Sequence, residues 1–493
     1  MTLHSQRLSP SCTRMNKPRA IDGSWWIHGD DKPAHCGTLS YDPEKGLRLA
    51  VKVAQSRTTD DAMIEAMTKF TKPVEVPSVV HGVDEHLKPI TLFGCGPFER
   101  SVTSGLDTYE IHSLAGILNF QGSSREDAKF SAACVLYTLL SQWTNRRAVP
   151  EARPEGPLLC FKVGTSDLFE SELSPGIRLK IEETIFPQGS STGFSIETSH
   201  RAWFLFSAPT SAKAIVYNYA LVLLRLLCLL TGKRVFVEKI TLHDHDPFAP
   251  SSGEHLQTSE FLTRNEGVAE ARRDVNASQM IAPFEQISSD ASSVFKRWFE
   301  CRERLEPVVD LYFAIVSDRD LSIESKFLFL AQALEVYHAR CGKFSRTDPP
   351  ADVDKARVKA VLEAAPAEHQ LWLKNQLSRP TRITLATRVT EVLNLHVNEA
   401  SSLTAGIADF ADKVRDGRNY YTHYPQKLLQ SGKVPNGREL IRITFALKAF
   451  LEVCFLKELG IQGKPVQRIL DLESSTKYFD MGVPSEPPGG PGV

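Results

Sequence analysis

The chain has 493 residues, 42% hydrophobic and 24% charged, a globular composition long enough for two or three domains with cores of their own. Its 58 Lys and Arg against 59 Asp and Glu leave a formal charge of -1, so no global field gathers nucleic acid and any such binding rests on a local patch. Nine cysteines stand singly without a CxxC pair, which argues against a zinc site or disulfide framework and suits a reducing cytosol.

Residues 1–23 are polar and mildly basic, lack the apolar segment of a signal peptide, and read as a disordered arm; a cytoplasmic location is expected. Residues 24–246 carry the punctuation of β structure. Strands are expected at Ser24–His28, Gly37–Tyr41, Leu47–Val53, Ile90–Cys95, Tyr109–Leu118 (one strand or two), Ile177–Ile181, Gly193–Thr198, Ala202–Phe206 and Val235–Ile240. Leu47, Leu49, Val51 and Val53 alternate with Arg48 and Lys52, the period of a half-buried strand. Many short strands at turn-punctuated spacing predict a sandwich or barrel-like domain. Ala214–Gly232 is apolar enough to suggest a membrane span. However, it carries Asn218 and a central Arg225, and a charge at mid-helix costs about 2.5–3.5 kcal/mol in a bilayer. A buried helix on the sheet, with no membrane partner, is the better reading. His243-Asp244-His245-Asp246 is the most metal-like cluster, but it runs into Pro247 and reads as solvated loop, so no metal or other cofactor is expected.

Residues 247–283, containing PSSGEHLQTS, read as a linker. From 284 to 478 the pattern is helical. A first helix runs through Phe295, Trp298, Leu305, Val308 and Leu311, with a kink expected at Pro307. Ser322 caps a second, striped by Ile323, Phe327, Leu330, Leu334 and Tyr337 and closed at Cys341-Gly342. Further helices are expected at Lys355–Leu373, interrupted by Pro366, at Ile383–Leu395, at Ser401–Tyr424, and at Arg438–Leu459 after an Asn436 cap. Residues 479–493 are low-complexity and read as a disordered tail. The fold class is α+β: a β-rich N-terminal domain, then an all-α bundle.

Within 401–424, Leu403, Ile407, Phe410 and Val414 form one apolar stripe that Tyr421 continues. His423 falls on roughly the opposite side, on one strip with Asn419 and Arg415, while Arg418 lies about 140° from His423 around an ideal helix. Three arrangements would bring the pair together: a helix distorted at Gly417, an Arg that reaches round, or a second subunit that completes the site. The residue types suit attack of a ribose 2′-hydroxyl on its phosphodiester. Histidine exchanges protons near neutral pH, and arginine is a fixed bidentate partner for phosphoryl charge. Asn419 would orient the phosphate or the His. The alternative is structural, with cationic side chains stabilising a helix C-terminus. Tyr420 and Tyr421 suit base stacking, although the position of Tyr421 on the stripe favours the core.

FLAQALEVYH and KVRDGRNYYTHY, within Phe284 to about Leu472, resemble a HEPN domain of the ApeA-like branch. That superfamily's signature is an Arg, four to six residues, then a His, often with Asn directly after the Arg; Arg418, Asn419 and His423 satisfy it. GSWWI, HCGTLSYD with GLRLAV, and ITLFGC resemble the domain that precedes HEPN in ApeA proteins. The resemblance implies a metal-independent endoribonuclease of prokaryotic anti-phage defence by abortive infection. RNA would be its substrate, Arg418 and His423 its catalytic pair, and a homodimer formed through the HEPN domain would bring two motifs together. Glu335, inside ALEVYH, is the carboxylate expected to anchor Arg418 or orient His423. The β-rich domain would sense a phage-derived trigger, restrain the nuclease or bind substrate. Two rival readings stand beside this one. The first is a non-catalytic HEPN dimerisation or RNA-binding module with a ligand-sensing β-domain. The second is a ligand-binding β-domain with a merely structural helical partner.

Overall fold

The computed structural model describes residues 17–27, 35–54, 79–103, 106–125, 127–145, 152–155, 158–161, 165–190, 193–249, 257–265, 267–268, 275–318, 320–344, 351–377 and 383–474. It divides into two compact units, 1–296 and 297–493.

The first unit begins with β1 (Arg19–Ile27), β2 (His35–Asp42), β3 (Gly46–Ala54), β4 (Val79–Asp84), β5 (Pro89–Thr103) and β6 (Leu106–Leu118). All neighbours are antiparallel, and β6 pairs with β3 along one edge and with β5 along the other. The ring β6-β3-β2-β1-β4-β5 therefore closes into a six-stranded barrel. Its interior is filled by Trp25, Leu39, Leu47, Leu49, Leu92 and Ile111, while Arg48 and Lys52 face out, as strand alternation requires. Trp25 donates its indole N–H to the Gly37 carbonyl at 3.0 Å. A Cβ at Gly82 would lie 2.3 Å from this ring, so the barrel admits the indole only because β4 carries a glycine there.

A second sheet follows, in the order β10-β11-β12-β7-β13-β14. It is built from β7 (Lys129–Tyr137), β10 (Thr165–Ser174), β11 (Ile177–Ser190), β12 (Gly193–Ser211), β13 (Val237–His243) and β14 (Thr258–Thr263); β8 (Ala152–Glu155) and β9 (Leu158–Phe161) form a separate hairpin. β14 pairs with β13 on one side and with Ala115–Leu118 of β6 on the other, which joins sheet and barrel. The apolar helix Ala212–Thr231, with a π-helical segment at Ile215–Ala220, packs on this sheet. Tyr219 meets the rings of Phe204 and Phe206, and the Tyr137 hydroxyl donates to the Ala220 carbonyl at 2.8 Å. Among the described residues it is the single helix long and apolar enough to cross a membrane, and 61% of its most apolar window is buried in the protein.

Several sequence expectations are corrected here. β1 starts at Arg19, inside the expected arm, whose residues 1–16 lie outside the described residues. The expected linker contains β14, whose TSEFLT is short but alternates as a strand should. Residues 109–118 belong to one strand, and the two strands expected between 193 and 206 are the single β12. β4, β7, β8, β9 and β10 lie outside the strands expected from the sequence. β7, a sheet-centre strand, carries the apolar run Ala132–Tyr137, which fits a helix equally well, and β10 is a polar edge strand. The expected tail, 479–493, lies outside the described residues.

In the second unit the central element is the helix Gly437–Glu458, buried along most of its length and packed against the helix Ile323–Arg340. Ser322 caps the latter, its side chain accepting from the Ser325 N–H at 3.2 Å, and Phe327, Leu330, Leu334 and Tyr337 are buried as the stripe requires. Pro307 lies inside the helix Ala291–Ser317, and Pro366 separates Ala351–Ala364 from Ala367–Leu377. The continuous helix expected over 401–424 is two: Val397–Leu403 and Phe410–His423. Gly406 at φ +71° and Asp409 at φ +51° are left-handed, and such residues do not propagate an α-helix. Ile407 is therefore in the connection between them.

Candidate active site

The helix Phe410–His423 is fixed by three contacts. Phe410 and Val414 are buried, and Tyr421 packs its ring edge-on against Phe327 at 6.0 Å while donating its hydroxyl to the Pro435 carbonyl at 2.8 Å. Gly417 lies between them. A Cβ there would stand 2.8 Å from Phe327 Cζ and 3.0 Å from Pro435 Cγ. The helix runs unbroken through Gly417, so this glycine supplies close approach and not the distortion offered as one way of aligning the motif.

Arg418 is half-buried on the flank. Its Nη2 lies 3.9 Å from Glu335 Oε2 on the helix Ile323–Arg340, and its Nη1 donates to Asn419 Oδ1 at 3.4 Å. These long contacts restrain the guanidinium and leave donors for an anion. Arg415 is differently placed: its Nε and Nη2 bond Asp416 at 2.8 and 3.0 Å, and Nη1 bonds Asp412 at 2.5 Å. Its charge is thus already matched by two carboxylates. His423 is exposed in the last helical turn. The helix stops immediately after it, because Tyr424 turns left-handed at φ +47° and Pro425 follows; the Tyr424 N–H closes the end on the Tyr420 carbonyl at 2.6 Å.

The structure therefore brings Glu335 and Asn419 to Arg418, with Asn419 one turn before His423 on the same strip of the helix. On this unbroken helix His423 points away from Arg418, and Arg415 is engaged by its own neighbours.

At the C-terminal end of the motif helix lies a groove of about 400 Å³, lined among others by Tyr420, Tyr421, Tyr424, Glu324, Leu328 and Asn436. Tyr420 packs edge-on against both Tyr421 and Tyr424, at 5.2 and 5.3 Å. Burial first, then the nearby Glu324 carboxylate, pushes the Tyr421 hydroxyl up to about 12, so this phenol stays a neutral donor. Nothing local in the sequence marks Glu324 or Tyr424 as lining a groove, and Asn436, expected as a helix cap, holds the N-cap position without a side-chain cap bond. Tyr424 directly follows the motif, but Glu324 is a hundred positions away and reaches the groove only through helix packing.

His243, expected in a loop, is instead the buried last residue of β13, packed against Trp203 at 5.1 Å and His245 at 5.8 Å. Burial, and secondarily the neighbouring His245, lowers its pKa to about 4, keeping the ring neutral. Among the described residues no cluster of three or more His, Cys, Asp or Glu side chains has the arrangement of a metal site.

A family model described as ApeA N-terminal domain 1 matches residues 20–298, more than half of the chain, and one described as Apea-like HEPN matches residues 328–464. The first takes in the barrel and the second sheet together; the second takes in Glu335, Arg418 and His423. No curated protein and no solved structure matches the chain significantly.

Proposed function

This chain belongs to the ApeA family, an ApeA N-terminal domain 1 followed by an Apea-like HEPN domain, and from that premise we propose that it is a metal-independent endoribonuclease of anti-phage defence. The observation that carries the reading is the Arg418–His423 pair at the end of the motif helix, inside the HEPN match, with the His exposed and the Arg held by Glu335. In the reaction, a ribose 2′-oxygen attacks the adjacent phosphorus as the bond from phosphorus to the 5′-oxygen breaks. One proton leaves the 2′-hydroxyl and one arrives on the departing 5′-oxygen. His423 carries out one of these transfers, and Arg418 stabilises the charge gathering on the phosphoryl oxygens. The products are a 2′,3′-cyclic phosphate and a 5′-hydroxyl end. Because the two side chains diverge on one helix, a second copy of the HEPN domain facing the first would bring His from one subunit toward Arg from the other. The N-terminal domain is the part left to sense a trigger or to restrain cleavage.

The test uses purified protein, tRNA and mRNA, with EDTA present. Wild type is expected to leave 5′-hydroxyl ends. His423→Ala and Arg418→Ala are each expected to lower cleavage at least about a hundredfold, the usual scale for losing a general acid–base group or a charge stabiliser. An unchanged rate in His423→Ala would sink its assigned role.

A further inference from the structure

We propose that the groove at the C-terminal end of the motif helix is a nucleobase pocket that selects guanine, a proposal that rests on the RNA-cleaving reading and gives it a substrate preference. Four observations converge on it. First, the groove is next to the motif: Tyr420 lies three residues before His423, so the two are neighbours on the helix surface, and Tyr424 directly follows it. Second, its volume of about 400 Å³ suits a single nucleoside. Third, its walls are aromatic, with Tyr424 exposed and Tyr420 and Tyr421 half-buried, the surfaces on which bases stack irrespective of identity. Fourth, its polar groups are chemically selective. Glu324 offers two carboxylate oxygens, which only accept, and Asn436 lines the groove with a side chain that does not cap its own helix. Guanine presents adjacent N1–H and N2–H donors beside the O6 acceptor. Those donors match the carboxylate, and O6 matches an amide N–H. Adenine presents one donor flanked by acceptors, which a carboxylate repels.

Tyr424 adds an independent sign. A bulky residue in the left-handed region is uncommon at a helix-closing position that usually takes glycine, and strain of that kind collects where a side chain serves a ligand. This backbone turn carries the Tyr424 ring to the groove.

The probe is a 2′-O-methyl oligouridylate carrying a single guanine or a single adenine, titrated into the full-length protein by fluorescence anisotropy. Such RNA cannot cyclise, so binding is read without cleavage. Wild type is expected to bind the guanine oligonucleotide roughly tenfold more tightly than the adenine one. Glu324→Gln should bring the two close to parity. Tyr424→Gly should weaken both while holding or raising the melting temperature, which separates lost stacking from lost fold. Equal affinities in wild type, no binding, or a guanine preference that survives Glu324→Gln would overturn the proposal. The two readings fail separately: protein that prefers guanine but leaves ordinary RNA intact keeps the pocket and loses the nuclease, and protein that cuts RNA without regard to guanine does the opposite.

Discussion

At Gly417 the absence of one methyl group sets the position of the motif. The ring of Phe327 is fully buried, so it has little room to yield to a Cβ 2.8 Å away. Overpacking of this kind costs about 1–3 kcal/mol, against about 1 kcal/mol regained when alanine replaces glycine inside a helix. Gly417→Ala is therefore expected to destabilise the unit by a net of up to about 2 kcal/mol, read as a lowered urea midpoint; a raised midpoint would show that the contact is slack. Tyr424 works in the opposite sense, since its left-handed backbone costs about 1–2 kcal/mol that a glycine would not incur. One residue before His423's turn is shaped for packing and one residue after it is strained, and both fix where the imidazole stands.

Between elements, one carboxylate links three segments of the helical unit. Glu458, at the end of the central helix, accepts from Arg304 at 2.7 Å on Ala291–Ser317, from Tyr337 at 2.9 Å on Ile323–Arg340, and from Lys343 at 2.7 Å in the connection that follows. Burial alone would raise its pKa, but the bonds from Lys343, Arg304 and Tyr337 outweigh burial and hold it below the ordinary glutamate value. A depressed folded-state pKa gives stability that is fully present above the unfolded pKa, about 4.3, and is lost as pH falls through the folded value. The wild-type urea midpoint should thus drop as the solution is acidified below that range. Glu458→Gln should be less stable at neutral pH and flatter in acid, so that the two curves converge. Parallel curves would show that Glu458 does not carry the acid sensitivity. The same helix pair positions Glu335 toward Arg418, which ties the packing of the unit to the geometry of the site.

For the whole molecule, the divergence of Arg418 and His423 makes subunit sharing testable. In a dimer of facing motifs, mixing inactive His423→Ala with inactive Arg418→Ala and allowing exchange yields half mixed dimers, each with one complete composite site. Cleavage should then recover to roughly a quarter of wild type. If both groups come from one subunit, no activity returns. The sequence by itself determined the class of each half and where along the chain the Arg418–His423 spacing falls. Strand alternation at Leu47–Lys52, the Phe327–Tyr337 stripe and the Ser322 cap are local signals, and each appears in the fold where its spacing requires. What only the tertiary structure decided depends on long-range pairing. The barrel closes because β6 meets β5 and β3 on opposite edges, and β14 leaves an apparent linker to join it to the second sheet. Gly417 is a contact and not a bend, Arg415 is bound by two carboxylates, and Glu324 and Asn436 reach the tyrosines from distant segments. Local periodicity records which face of a helix is buried, but which side chains from elsewhere meet that helix is set by packing between segments far apart in the chain.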